Sequence, residues 1–266
     1  MAEPVFGLTF EKVSDIVRPV VEDHGWGDIT RCAEQPFYGM YKIRIRPGAS
    51  QPLHLRMLGG GVYFVENGDV VVRTVNVDGV RSASRVLSGG VLDAPAGMVH
   101  ALCSRGGASV FLFTDRPASD LVLVETQPQA DTDLEAALNA PGEKVGATTF
   151  DAREKYWGRI ESIVSGDFAG KRIELRNGGQ SSLEFHVNKT ESYYIQAGRV
   201  KVGLRIGRGE NKSVVLEQGD RFDIPPGLMH MRIGLEDSII MEVSTPDSDG
   251  DSYLVEDGKT YEHIEQ

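Results

Sequence analysis

The chain has 266 residues, 40% hydrophobic and 25% charged, enough for one large globular domain or two smaller ones. Its 28 Lys and Arg against 39 Asp and Glu leave a formal net charge of -11, which repels phosphate backbones and argues against a nucleic-acid partner. No apolar run approaches the ~20 residues that cross a bilayer, and Cys32 and Cys103 form neither a disulfide framework nor a Cys-x-x-Cys metal site. With no basic or apolar leader in MAEPVFGLTFEKV, a cytoplasmic protein with no membrane partner is expected.

The first element the sequence suggests is a helix over 10–21, which Pro19 should end or kink. Short β-rich runs follow, among them GVYFVENGDVVVRTVNV and SVFLFT, with ENGD signalling a hairpin inside the first. The stretch 127–144 turns polar and reads as a linker. It carries a helical pattern over 131–140 that opens on acidic residues and ends at Pro-Gly. Beyond it the β-rich runs resume in SYYIQAGRVKVGLRI, KSVVLEQGDRFDI and SIIMEVSTP, with GRGENKS over 207–213 as a hairpin tip. Many short strands joined by Gly-rich turns predict an all-β, antiparallel sandwich or barrel.

The two halves repeat. Gly48, His54, Gly68, Gly89, Pro95, Gly97 and His100 return 130 positions later as Gly178, Glu184, Gly198, Gly219, Pro225, Gly227 and His230. One register held over so many positions indicates duplication of a single β-domain. The organisation expected is an N-terminal domain over 1–126, a linker with a short helix over 127–148 and a C-terminal domain over 149–266.

In the second repeat, five residues after Gly178 comes Glu184-x-His186, then Glu191 and Gly198; downstream lie Gly219, Pro225-x-Gly227 and His230. These spacings resemble the two motifs of the cupin superfamily. The resemblance implies two tandem cupin jelly-roll β-barrels, a bicupin, over nearly the whole chain, and a homodimer. The spacing also has a physical logic. Residues two apart on a strand share a face, so Glu184 and His186 point the same way. Glu191 on the next strand and His230 after the Pro-Pro-Gly turn can converge with them inside a barrel. Two imidazoles and two carboxylates suit one divalent transition metal, Zn, Mn, Fe, Co or Ni, and leave positions open for substrate. Glu184 is read as a ligand or, beside the metal, as a catalytic base.

In the first repeat His54 and His100 remain, but Arg56 and Gly61 replace His186 and Glu191. A guanidinium repels a divalent cation and glycine supplies no ligand, so this domain reads as a metal-free structural or dimerising copy. Its functional alternative is an anion pocket of Arg56, His54 and His100.

The second half more narrowly resembles the cupin domain of type II phosphomannose isomerases, through its Trp-Gly before the barrel, a Lys-Arg-Ile strand, SL..H...E and a late Glu-Val strand followed by EDG. That family carries Gln where Glu184 stands and Arg where Met231 stands. The resemblance implies a metal-dependent sugar or sugar-phosphate isomerase, with Lys189 in proton transfer or anion binding and Arg232 and Tyr193 on a sugar-like or anionic small-molecule substrate. An Fe- or Mn-dependent oxygenase, decarboxylase or lyase on a small organic acid, and a non-enzymatic binding protein, are the alternatives.

Overall fold

The structure, a computed structural model, describes residues 7–13, 15–124, 139 and 151–265. The contacts divide the chain into two units, Val20–Thr149 and a second that joins Met1–Pro19 to Phe150–Gln266. The opening residues thus group with the second half and not with the N-terminal domain expected over 1–126. The helix expected over 10–21 is absent as well. A 3-10 turn covers Phe10–Lys12, and Val17 already bridges to Arg221 as an extended residue. Val17 N donates to Arg221 O at 2.9 Å, Arg221 N to Val17 O at 2.8 Å, and Arg18 pairs with Asp220 at 3.1 Å. Docking of Leu8, Phe10 and Val13 on the C-terminal core and pairing at a strand edge outweigh a weak local helix preference. The helix expected over 131–140 lies outside the described residues, apart from the helical Asn139.

The C-terminal unit is built from two antiparallel sheets. One runs Ala152–Lys155, Gly158–Ser165, Ala169–Leu175, Ser238–Ser244, Glu191–Ala197, Arg221–Ile224; the other Lys212–Glu217, Arg199–Arg205, Met229–Gly234, Leu183–His186, Ser252–Glu256. Tyr193, Ile195, Val202, Phe222 and Ile240 fill the space between them with exposures of 1% or less. Burial of each such side chain is worth about 1.5–3 kcal/mol, and this alternation of inward apolar and outward polar residues holds the barrel closed.

In the N-terminal unit eleven strands form one continuous sheet. The reason is Gly61–Val75, a single strand of 15 residues that pairs with both ends of the barrel. The hairpin expected at ENGD is instead a bulge within this strand. Gly68 takes φ 77°, and the register against Ala108–Thr114 shifts between Ser109 and Val110. A glycine in the left-handed region bends the strand without ending it.

The duplication read from sequence recurs in the backbone. Gly68 and Gly198 have φ 77° and 78°, and a Cβ at either would strike the carbonyl of the neighbouring turn, Gly107 O or Asp237 O. Cross-strand partners repeat too: His54 faces His100 as Glu184 faces His230, and Tyr63 faces Leu112 as Tyr193 faces Glu242. Among the described residues no helix is long and apolar enough to cross a membrane.

Candidate metal centre in the C-terminal barrel

Leu183–His186 and Met229–Gly234 are neighbours, so Glu184 and His230 sit side by side, with His186 one pleat further on. Single donor atoms of Glu184, His186 and His230 lie within 4.8 Å of one another. Both imidazoles are held from behind. His186 Nδ1 donates to Asp251 O at 2.9 Å and His230 Nδ1 to Leu228 O at 3.0 Å. Each ring therefore carries its proton on Nδ1 and keeps the Nε2 lone pair, the arrangement that metal-binding histidines use. Asp251 does more than offer its carbonyl: its carboxylate accepts the backbone N–H groups of Val187, Asn188 and Lys189, fixing the turn that follows His186. Those N–H bonds outweigh desolvation and hold the Asp251 carboxyl below its ordinary value.

Glu191, the fourth expected ligand, reaches both rings but faces elsewhere as well. Its carboxylate is 2.9 Å from His230 Nε2, 3.8 Å from His186 Nε2 and 2.6 Å from Lys189 Nζ. Tyr193 donates its hydroxyl to the same carboxylate at 2.8 Å. His230 Nε2 is buried and its nearest polar neighbour is a Glu191 oxygen at 2.9 Å, a contact that either a proton on Nε2 or a metal ion held by both groups would satisfy. Burial alone would lower the His230 pKa, but Glu191 and Glu184 raise it. Around the site, Glu184, Glu191, Glu242 and Asp247 face Lys171, Lys189 and Arg232 in a network of ion pairs. Two imidazole nitrogens and a carboxylate fit a divalent first-row metal.

Two expected roles change. Lys189 is only 4% exposed, and its ammonium lies 2.6 Å from Glu191, 2.8 Å from Glu242 and 3.1 Å from Asp247. Desolvation opposes its charge, yet these carboxylates raise its pKa well above that of a free lysine. A lysine so neutralised and so firmly protonated neither accepts a proton at neutral pH nor offers free charge to an anion. Tyr193 is fully buried in the core and absent from the cavity wall; it orients Glu191.

Arg232 does face the cavity, 6% exposed, but its guanidinium is bonded to Glu184 at 2.8 Å and stacked near Trp157 and Tyr193. Ser252 donates to the other Glu184 oxygen at 2.8 Å. Burial pushes the Glu184 carboxyl up, but Arg232, then His230 and Ser252, bring it below its usual value. A carboxylate held this firmly ionised is a good ligand and a weak base.

The cavity in front of these groups has a volume of about 180 Å3. Its mouth carries Arg153, Lys155 and Lys171, and its wall Glu242, none of which was singled out as a site residue in the sequence. Arg153 and Lys171 are paired to Asp151 and Asp247, whereas Lys155 makes no ion pair among the described residues. Arg153 and Lys155 stand two apart on one strand just before Trp157-Gly158, an alternation that was visible in the sequence. Glu242 interrupts the apolar run of SIIMEVSTP, and a buried carboxylate in such a run needs a cation.

The N-terminal barrel presents the opposite picture. Arg56 is bonded to Asp120 at 3.0 Å and Gly60 O at 2.6 Å. The cavity that His54 lines includes neither Arg56 nor His100 among its described residues, so it does not bring the three together as an anion pocket. His54 and His100 stack at 4.5 Å between centroids; burial pushes the His100 pKa down to about 4, with His54 adding to the effect, and burial lowers that of His54.

Comparison with known proteins places these observations. Residues 165–253 match the Cupin family model. Germin-like protein 3-8 of Oryza sativa subsp. japonica is 38% identical over 61 residues, 23% of this chain and 27% of that protein; germin-like protein 3-7 is 32% identical over 78 residues, 28% and 34%. The matched stretches thus span about a third or less of those relatives. Among solved structures, a mutant of Bacillus subtilis oxalate decarboxylase superimposes with a TM-score of 0.70 at 14% identity, over 91% of this chain and 80% of that one. A formate complex of Lactobacillus farciminis oxalate decarboxylase gives 0.68 at 16%, over 94% and 90%. Residues 165–253 are thus similar to the Cupin family, and the chain takes the fold of two tandem cupin jelly-roll barrels.

Proposed function

We propose that the C-terminal barrel is a divalent-metal site that acts on a small organic acid, in the decarboxylase, lyase or oxygenase class. The observation that carries this reading is the convergence of His186 Nε2, His230 Nε2 and a Glu184 carboxylate at the end of a small cavity with a basic mouth. Glu191 faces both rings as a fourth donor. A two-imidazole, one-carboxylate set supports metal-assisted chemistry on a chelating acid, and the metal when bound supplies Lewis-acid or redox character.

The chain's own residues bind and orient. Lys155 and Arg153 draw a carboxylate to the mouth, and a volume of about 180 Å3 suits a molecule of few atoms. Arg232 fixes Glu184, and Lys189 fixes Glu191. An isomerase would instead need a side chain able to give and take a proton between adjacent carbons. The two candidates for it, Lys189 and Glu184, are held in fixed ionisation states by their ion pairs. The fold shared with oxalate decarboxylases supports the acid reading over the sugar reading, for which the comparisons give no support.

The test is elemental analysis of untagged protein and of His186→Ala, followed by aerobic and anaerobic assays on short dicarboxylic and 2-oxo acids and on sugar phosphates. Stoichiometric metal that is lost in His186→Ala, with turnover of an acid, is the expected result. Metal-independent turnover, or turnover of sugar phosphates alone, would overturn the proposal.

A further inference from the structure

The N-terminal barrel encloses a cavity of about 610 Å3, more than three times the volume in front of the candidate metal centre. The interior residues around it differ from those of the other barrel, and one of the replacements, Leu112, lines the cavity itself. Counting 130 positions back, Lys189, Glu191, Arg232 and Glu242 correspond to Gly59, Gly61, Leu102 and Leu112. Strand pairing confirms the last correspondence, since Leu112 opposes Tyr63 as Glu242 opposes Tyr193. Two long charged side chains have become glycines and two have become leucines. Each replacement removes a charge from the interior, and the glycines also remove bulk. A side chain at position 61 would require Leu112 to shift, since a Cβ there comes within 2.7 Å of Leu112 Cδ1.

The lining includes Trp26, Ile29, Ile43, Tyr63, Leu112 and His54, together with Arg31, Glu22 and Glu34, which pair with one another. Its polar atoms are largely satisfied among themselves. Tyr63 hydroxyl and His100 Nε2 are 2.8 Å apart, and Tyr41 hydroxyl donates to Glu34 while accepting from Ala118 N. Two are not. His24 Nε2 is buried without a hydrogen-bond partner behind the Trp26 ring on which His24 stacks. His54 is 5% exposed and its Nδ1 donates to Pro52 O at 3.0 Å, which leaves Nε2 as an oriented acceptor with no partner among the described residues. Burial favours the neutral form of His54 and His100, so the interior presents a lone pair and no net cation. A cavity of this size, apolar and aromatic with one oriented acceptor, is the form of a small-molecule site.

We infer that the N-terminal barrel is a second, metal-free binding site for a neutral aromatic molecule that carries a hydroxyl donor, held between Trp26 and Tyr63 with its hydroxyl on His54 Nε2. It is separate from the proposed metal chemistry and stands or falls without it.

Titration of the full chain with the neutral fluorophore N-phenyl-1-naphthylamine, then displacement by 2-naphthol and by naphthalene, tests the inference. Saturable binding is expected, with 2-naphthol displacing about fivefold more tightly than naphthalene, the worth of one neutral hydrogen bond. His54→Phe should bring the two displacers level. Ala118→Trp, which fills the cavity, and Leu121→Glu, which charges its half-exposed mouth and so leaves folding alone, should each weaken the fluorophore by about tenfold or more. His186→Ala should leave it unchanged. The inference is overturned by absence of saturable binding, by an unchanged naphthol preference in His54→Phe, or by binding that His186→Ala abolishes and Leu121→Glu leaves intact.

Discussion

At Lys189 one ammonium meets three carboxylates, and the consequence is both structural and electrostatic. Lys189→Met should cost about 3–5 kcal/mol, because Glu191 and Glu242 stay buried without their cation; urea unfolding of the metal-free protein reads this directly. The same cluster sets an acid limit. Desolvation opposes ionisation of Glu184, Glu191 and Asp247, but Arg232 and Lys189 hold their carboxyls below the usual values. Their stabilisation is complete above the unfolded carboxyl value of about 4 and is lost as pH falls through the lower folded values. The urea midpoint of the metal-free protein should fall steeply below about pH 4, beyond the earlier decline below about pH 6.5 that His54 and His100, kept neutral by burial, impose when the unfolded chain takes up protons. Lys155, which bears no fold, should behave differently: Lys155→Ala is expected to raise KM for an anionic substrate about three- to fivefold with metal content and urea midpoint unchanged. His186 and Glu184 were legible in sequence because a strand's period of two puts them on one face. The pairing of Lys189 with Glu242 was not, since it joins residues 53 apart through a register that only the folded sheet defines.

At the scale of the element, the glycines that made the repeat visible are not equivalent. Gly178 and Gly198 both have positive φ, 73° and 78°. A Cβ at Gly178 meets nothing, whereas one at Gly198 collides with Asp237 O. Gly178→Ala should therefore cost about 1 kcal/mol of backbone strain, and Gly198→Ala clearly more, in the same urea assay. The strands themselves were legible from alternation and Gly-rich turns. The two misreadings, a helix over 10–21 and a hairpin at ENGD, share a cause. Val17 becomes extended because Arg221 offers it an edge, and Gly68 bends a strand because Ala108–Thr114 continues alongside. In both cases a partner distant in sequence overrides a local signal.

For the whole molecule, the duplication has produced two barrels with different interiors, one cavity lined mostly by charged groups and the other mostly by apolar and aromatic ones. Calorimetry should separate them. A divalent metal at 100 times its Kd stabilises the state that binds it by about 2.7 kcal/mol. Mn2+ should accordingly raise the transition of the C-terminal unit alone, and His186→Ala should cancel that rise. That Arg56 and Gly61 stand at two ligand positions of the first barrel was legible in the sequence. The cavity of that barrel was not, because its walls, Trp26, Ile43, Tyr63 and Leu112 among them, are brought together only by the folded sheet.

The carbonyl that orients His186 belongs to Asp251, and the hydroxyl on Glu184 to Ser252, at the start of the strand Ser252–Glu256. His230 is aimed differently, by Leu228 at the turn before its own strand. The strand beside Leu183–His186 is therefore a clasp on one half of the donor set: loosening it frees His186 and Glu184 and leaves His230 in its posture.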